Sequence, residues 1–188
     1  MDFSIRRGTE ADIPACLAID SSIATDWLLY LEQLGGAPEL SFRLCWRRVA
    51  EGRRRDYVLD EDFFGSRLDG GARLLVAEVD GTMRGRTLVR EKWNRTLEVV
   101  DAAVDRPYRR QGLGRALLRE AKRIAAEEGL RAISWEAQTD NREAIEFLLA
   151  NGFRLSGLDH MLYHNDGCER QLTRGFRGLA LFFTLPLG

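Results

Sequence analysis

The chain has 188 residues, 45% apolar and 30% charged, a size and mix that predict one globular domain and exclude a disordered or fibrous chain. Its 28 basic and 29 acidic side chains leave a formal net charge of -1, which gives no electrostatic footprint for nucleic acid or an anionic membrane. Lys92 and Lys122 are the only lysines; the other basic residues are arginines.

In chain order, residues 3–6 read as a short first strand. Thr9 offers an N-cap to a helix whose apolar spacing continues to Ile19. Residues 22–51 read as two helical pieces broken near Gly35-Gly36-Ala37-Pro38. The opposed runs Arg53-Arg54-Arg55 and Asp60-Glu61-Asp62 read as a solvated surface. Residues 74–79 are strand-like, and Asp80-Gly81 is a two-residue hairpin signal that places a partner strand over 83–92. Trp93-Asn94 marks the next turn. Residues 97–104 are apolar apart from Glu98 and Asp101, as in a buried central strand. The pattern then alternates: helix 112–128, strand 131–137, helix 141–150 opened by a capping pair of Asp140 and Glu143, strand 153–163, strand 179–185. Antiparallel hairpins followed by βαβ passages define an α/β (α+β) class, with a mixed sheet and helices on its faces. No repeat or linker divides residues 1–188, so a single domain is expected.

Cys16, Cys45 and Cys168 are odd in number and lack C-x-x-C spacing, which argues against a disulfide framework or a zinc knuckle. His160 and His164 share a strand face without a third ligand nearby, so no metal is expected. No apolar run approaches the roughly 18–20 residues that span a bilayer, and the start lacks a signal peptide's apolar core. The expected location is cytoplasmic.

The informative stretch runs from Val104 through Asp105-Arg106-Pro107-Tyr108 to Arg109-Arg110-Gln111-Gly112-Leu113-Gly114-Arg115. A buried strand ends, and a Gly-rich loop opens into an amphipathic helix with Leu113, Leu117, Ala121 and Ile124 as its apolar stripe and Gly129 as its stop. The first turn of a helix leaves N–H groups unpaired, and its dipole favours an anion there. Glycines at 112 and 114 remove side chains that would hold a pyrophosphate away, and Arg109, Arg110 and Arg115 add cationic donors. No Gly-Lys-Ser/Thr follows, and no third glycine stands where a dinucleotide fingerprint needs one.

The Arg109-x-x-Gly112-x-Gly114 pattern after a strand resembles the acetyl-CoA pyrophosphate loop of the GNAT N-acetyltransferase superfamily. The block from Asn141 to Phe153, closed by Asn151-Gly152, resembles that superfamily's fourth helix. Trp93-Asn94, Val100-Asp101-Ala102-Ala103-Val104, Trp135-Glu136-Ala137-Gln138, Gly157-Leu158-Asp159, Leu162-Tyr163 and Ala180-Leu181-Phe182-Phe183 resemble the streptothricin-type branch. The resemblance implies a single-domain GNAT fold, mostly antiparallel, with a splayed parallel pair. It implies acetyl-CoA as co-substrate, bound by Arg109, Arg110, Gln111, Gly112, Leu113, Gly114 and Arg115, by backbone near Ala102, Ala103 and Val104, and by Asn141, Ala144 and Phe147. The expected partner is a small-molecule amine, with a homodimer left open and no nucleic acid or membrane.

Asp101 and Glu136 each interrupt an apolar strand, and a carboxylate facing an alkylammonium can hold it and take its proton. Each also reads as a buried acid satisfied by arginine or backbone donors; Glu98 is a third choice. Where the family often carries a tyrosine that protonates the departing thiolate, this chain has Leu148, so the role passes to Tyr163 or Tyr108 or is dispensable. Trp27, Tyr30, Trp46, Phe63 and Phe64 read mostly as core, with an acceptor pocket as the other reading. Acetylation of a protein or peptide amine, and a non-catalytic acyl-CoA-binding module, stay open beside the small-amine enzyme.

Overall fold

Leu74, Leu75, Val76 and Ala77 are all buried, so the strand that carries them is covered on both faces. The computed structural model describes residues 2–36, 39, 41–57, 59–159, 162–163 and 179–188. Its elements are β1 (Ser4–Arg7), α1 (Ile13–Ala18), β2 (Ile23–Leu34), β3 (Ser41–Arg55), α2 (Glu61–Asp69), β4 (Arg73–Val79), β5 (Thr82–Glu91), β6 (Thr96–Val104), α3 (Leu113–Glu127), β7 (Ala132–Gln138), α4 (Arg142–Ala150), β8 (Arg154–Asp159) and β9 (Ala180–Pro186). One sheet has the order β1-β4-β5-β6-β7-β9-β8, and β2 and β3 form a second. The β1–β4, β4–β5 and β5–β6 pairs are antiparallel, and β6–β7 is parallel, as expected for this class.

The chain divides into two compact units. The first holds Met1–Ser22, Tyr57–Glu136 and Thr184–Gly188; the second holds Ile23–Asp56 and Ala137–Phe183. In the first, side-chain alternation along β4 sorts the helices. Leu74 and Val76 join Met83 and Leu88 in a core closed by Ile13, Cys16 and Ile19 and by Phe64 of α2. Ala77 faces the other way, toward α3. There a Cβ at Gly85 would lie 3.2 Å from Leu117 Cδ1 and 3.3 Å from Ala77 Cβ, so the glycine lets helix and sheet approach. Helices therefore cover both faces.

Local signals hold where they are strong. Asp80 and Gly81 both take positive φ, 50° and 72°, as a two-residue hairpin turn requires. The α3 stripe of Leu113, Leu117, Ala121 and Ile124 is buried. The helix ends with Leu130 N–H donating to Ala125 O at 2.8 Å and Gly129 N–H to Ala126 O at 3.1 Å. At the end of α4, Phe153 and Gly152 repeat that arrangement on Leu148 and Leu149.

Four expectations are corrected. The 22–51 stretch is not helical: β2 and β3 form an antiparallel ladder pairing Leu29 with Trp46 and Leu31 with Leu44. Cross-strand pairs of large side chains outweigh the helical spacing of single residues. Gly35, at φ +76, lies where the two strands reverse; Ala37 and Pro38 are outside the described residues. Second, the surface reading of the opposed charge runs holds for Asp60, Glu61 and Asp62, exposed at the start of α2 with Asp60 Oδ1 accepting from Phe63 N–H at 2.8 Å, but fails for Arg55, which is buried. Third, Asp140 does not cap α4. Asn141 does, its Oδ1 accepting from Ala144 N–H at 3.1 Å, while Asp140 pairs with Arg55, buried although its run reads as surface. Fourth, the strand expected over 153–163 ends at Asp159, and Leu162 and Tyr163 lie in a turn. His160, His164 and Cys168 lie outside the described residues. Among the described residues no helix is long and apolar enough to cross a membrane.

Candidate active site

Among the described residues, β6 pairs with β7 only over Thr96–Val99 and Ala132–Trp135, although β6 continues to Val104. On its other edge, Leu88 pairs with Asp101 and Val89 with Val99, so Val100 is an extra residue. A bulge of this kind bends the strand and re-aims the side chains beside it. It lies next to Asp101, at the point where the parallel ladder stops.

The loop after β6 is held from within the first unit. Asp105 N–H donates to Arg84 O at 2.8 Å, and Arg84 Nη1 lies 3.0 Å from Asp105 Oδ2. The Arg84 guanidinium also stacks over the Tyr108 ring at 4.6 Å. Arg109 donates from Nε to Val104 O at 3.0 Å and from Nη2 to the carbonyls of Asp20 and Ser22 at 3.0 and 2.8 Å. Its guanidinium thus shapes the loop, whereas Arg110 and Arg115 are exposed. Gln111 Nε2 donates to Pro107 O at 2.9 Å. Arg84 and Asp105 are site-shaping residues missed in the sequence, where nothing joins positions 84 and 105.

Gly112 is the N-cap of α3 at φ 98, ψ -13, a left-handed conformation that costs an L side chain roughly 1–2 kcal/mol. Ala116 N–H bonds back to Gly112 O at 3.0 Å, so the N–H groups of Leu113, Gly114 and Arg115 belong to the first turn, where helix geometry supplies no carbonyl. Arg110, at φ 62, turns the chain just before them. Directed donors, no Cβ at the cap and two exposed guanidinium groups fit a pyrophosphate.

Asp101 meets Arg86: Nε lies 2.7 Å from Oδ2 and Nη2 3.4 Å from Oδ1. Glu98 pairs with Arg90 at 2.7 Å and Lys92 at 3.4 Å. Glu136 is half-buried on β7, just past the paired ladder. Burial, with Arg90 adding to it, pushes the Arg67 guanidinium below the ordinary arginine range, while Asp101, Asp60 and Glu98 pull it back.

In the second unit, Asn141 is occupied as the α4 cap, and Ala144 and Phe147 are half-buried on that helix. Leu148 is fully buried, and Tyr163 is buried in its turn. The Arg142 guanidinium lies over Trp27 at 5.1 Å and Trp46 at 5.6 Å, which gives these two rings a partner, while Tyr30 stays exposed. Phe64 is core, as read.

Residues 39–153 match the model of the acetyltransferase (GNAT) family. The chain belongs to that family. This GNAT chain is 36% identical over 81 residues to streptothricin acetyltransferase A of Bacillus subtilis (strain 168), covering 43% of this chain and 47% of that one. It is 34% identical over 120 residues to streptothricin acetyltransferase of Streptomyces lavendulae, covering 63% and 60%. The matched stretch thus spans about half of those curated relatives. Among solved structures, nourseothricin acetyltransferase superposes with a TM-score of 0.82 at 29% identity, with both chains fully covered. A Bacillus anthracis str. Ames protein solved with acetyl coenzyme A shares the fold at TM-score 0.80 and 21% identity, covering 99% and 100%.

Proposed function

We propose that this GNAT chain is an acetyl-CoA-dependent N-acetyltransferase whose acceptor is a primary amine on a small cationic molecule of the streptothricin class. The observation that carries the reading is the start of α3, where a left-handed Gly112 and unpaired first-turn N–H groups stand ready for a pyrophosphate. The names of the relatives support the acceptor class. The complex of the Bacillus anthracis protein supports the co-substrate.

Acetyl-CoA bound there supplies a thioester carbon open to an amine. Leu113, Gly114 and Arg115 N–H hold the pyrophosphate, with Arg110 and Arg115 balancing its charge. Backbone N–H groups along Ala102, Ala103 and Val104 serve charge developing on the acyl oxygen, a type of donor worth ~3–4 kcal/mol. An alkylammonium near pKa ~10 must lose a proton before it attacks. Asp101 and Glu136 are assigned to hold it and take that proton. Tyr163 is assigned to return a proton to sulfur, since Leu148 is aliphatic and fully buried. A thiol of pKa ~8.5 needs little such help.

The test is thiol release by the purified chain with acetyl-CoA and streptothricin, spermidine, an aminoglycoside, amino acids or short peptides. Stoichiometric thiol with streptothricin supports the proposal. Acetyl-CoA binding without thiol from any amine makes the chain an acyl-CoA-binding module, and turnover of peptides alone makes it a protein acetyltransferase.

A further inference from the structure

We propose that Arg86 is a positioning residue for the acceptor: it holds the Asp101 carboxylate so that its looser oxygen, Oδ1, receives the acceptor's ammonium. The proposal rests on the acetyltransferase reading above and assigns one of its residues a partner.

Arg86 is 2% exposed, among the largest fully buried side chains of the protein. Three contacts fix its guanidinium in the first unit. Nη1 donates to Cys16 O at 2.9 Å, Cζ lies 5.3 Å from the centroid of the Phe64 ring, and Nε donates to Asp101 Oδ2 at 2.7 Å. Cys16 and Phe64 belong to the α1/α2 core, so the fork cannot swing without disturbing it. The pair is lopsided in two ways. Arg86 is sealed while Asp101 keeps 15% exposure, and Oδ2 is held at 2.7 Å while Oδ1 sits at 3.4 Å. A carboxylate has about four acceptor sites, so the loosely held oxygen keeps capacity for another donor.

Stability alone does not call for this arrangement. Well-packed apolar residues of the same volume generally serve a fold as well as a buried ion pair. Here Arg86 is sealed while Asp101 keeps 15% exposure, beside the bulge at Val100. A fixed, part-exposed carboxylate is an orienting device for a cation. Asp101 in this role binds and aligns the amine, which leaves proton removal to Glu136.

The experiment is steady-state kinetics of the full chain with streptothricin, and with spermidine in parallel, for Arg86→Gln, Arg86→Lys, Asp101→Asn and the Arg86→Gln/Asp101→Asn double variant. Arg86→Gln is expected to raise amine KM at least tenfold, with kcat within threefold and acetyl-CoA KM within twofold. Arg86→Lys, which restores the cation, recovers part of that loss. Asp101→Asn gives a similar rise, and the double variant adds little, as for residues acting as one unit. A lowered Tm with unchanged amine KM in the folded Arg86 variants makes the pair purely structural and overturns the inference; should Arg86→Gln not fold, Arg86→Lys decides. Parental kinetics in Asp101→Asn removes Asp101 from the acetyltransferase reading and the inference with it. An impaired Asp101→Asn beside unaffected Arg86 variants sinks the inference alone. A parent that releases no thiol overturns both.

Discussion

Arg55 Nη2 lies 2.9 Å from Asp140 Oδ1, with the two side chains only 7% and 4% exposed. The pair joins the end of β3 to the residue before the α4 cap, inside the second unit. Removing one partner leaves the other charge buried, which generally costs about 3–5 kcal/mol. Asp140→Asn and Arg55→Gln are each expected to lower the urea midpoint accordingly. Arg55→Met/Asp140→Leu is expected to recover most of it, because the pair costs nearly as much to desolvate as it returns. Equal losses in the double variant and the worse single would refute this.

The α3 entrance makes a binding prediction. Gly114→Val places a branched side chain among first-turn donors and is expected to weaken acetyl-CoA at least tenfold, about 1.4 kcal/mol. Calorimetry on the folded variant measures it. Gly112→Ala tests the backbone separately, through the roughly 1–2 kcal/mol strain of an L side chain at φ 98. Unchanged affinity in Gly114→Val removes the pyrophosphate from this loop.

Acid sensitivity follows from Asp12. Its carboxyl accepts from Arg6 at 2.9 and 2.7 Å and from Thr9 N–H at 2.8 Å. The Arg6 guanidinium, above all, holds it at about 2 against an ordinary 3.8. A lowered folded value means the pair stabilises fully above the unfolded pKa and stops doing so as pH falls through about 2. Arg6→Met is expected to move the Asp12 titration upward, read from its carboxyl carbon shift by NMR. The same variant is expected to flatten the stability loss between pH 4 and 2. A titration that stays put would show that Thr9 alone suffices.

Cys16 is fully buried, and burial pushes its thiol up to about 11. The thiolate is the reactive form, so at pH 8 in native buffer the Cys16 peptide is expected to stay unlabelled by iodoacetamide. Labelling is expected to appear together with global unfolding. Rapid native labelling would show that the α1 core opens on its own.

Much of the architecture is written in short-range chemistry. Asp80-Gly81 sets a hairpin because both positions tolerate positive φ; the stripe of α3 sets its buried side; Gly112 and Gly114 mark a helix start open to an anion. These features depend on backbone geometry within a few residues, and the sequence determined them, together with the family they resemble. The tertiary structure alone decided the rest. Residues 22–51 form a strand pair because Leu29 meets Trp46 and Leu31 meets Leu44, and no local spacing announces those meetings. Asp140 looked like a cap until Arg55 claimed it, leaving Asn141 to close the helix. Arg109 reaches the Asp20 carbonyl across 89 residues, so its guanidinium builds the loop instead of standing in it. Asp101 could be read as ligand or as buried partner, and the 2.7 Å contact with Arg86 supplies the partner. Backbone conformation follows neighbours along the chain, whereas the fate of a buried charge follows whichever counter-charge the fold brings to it.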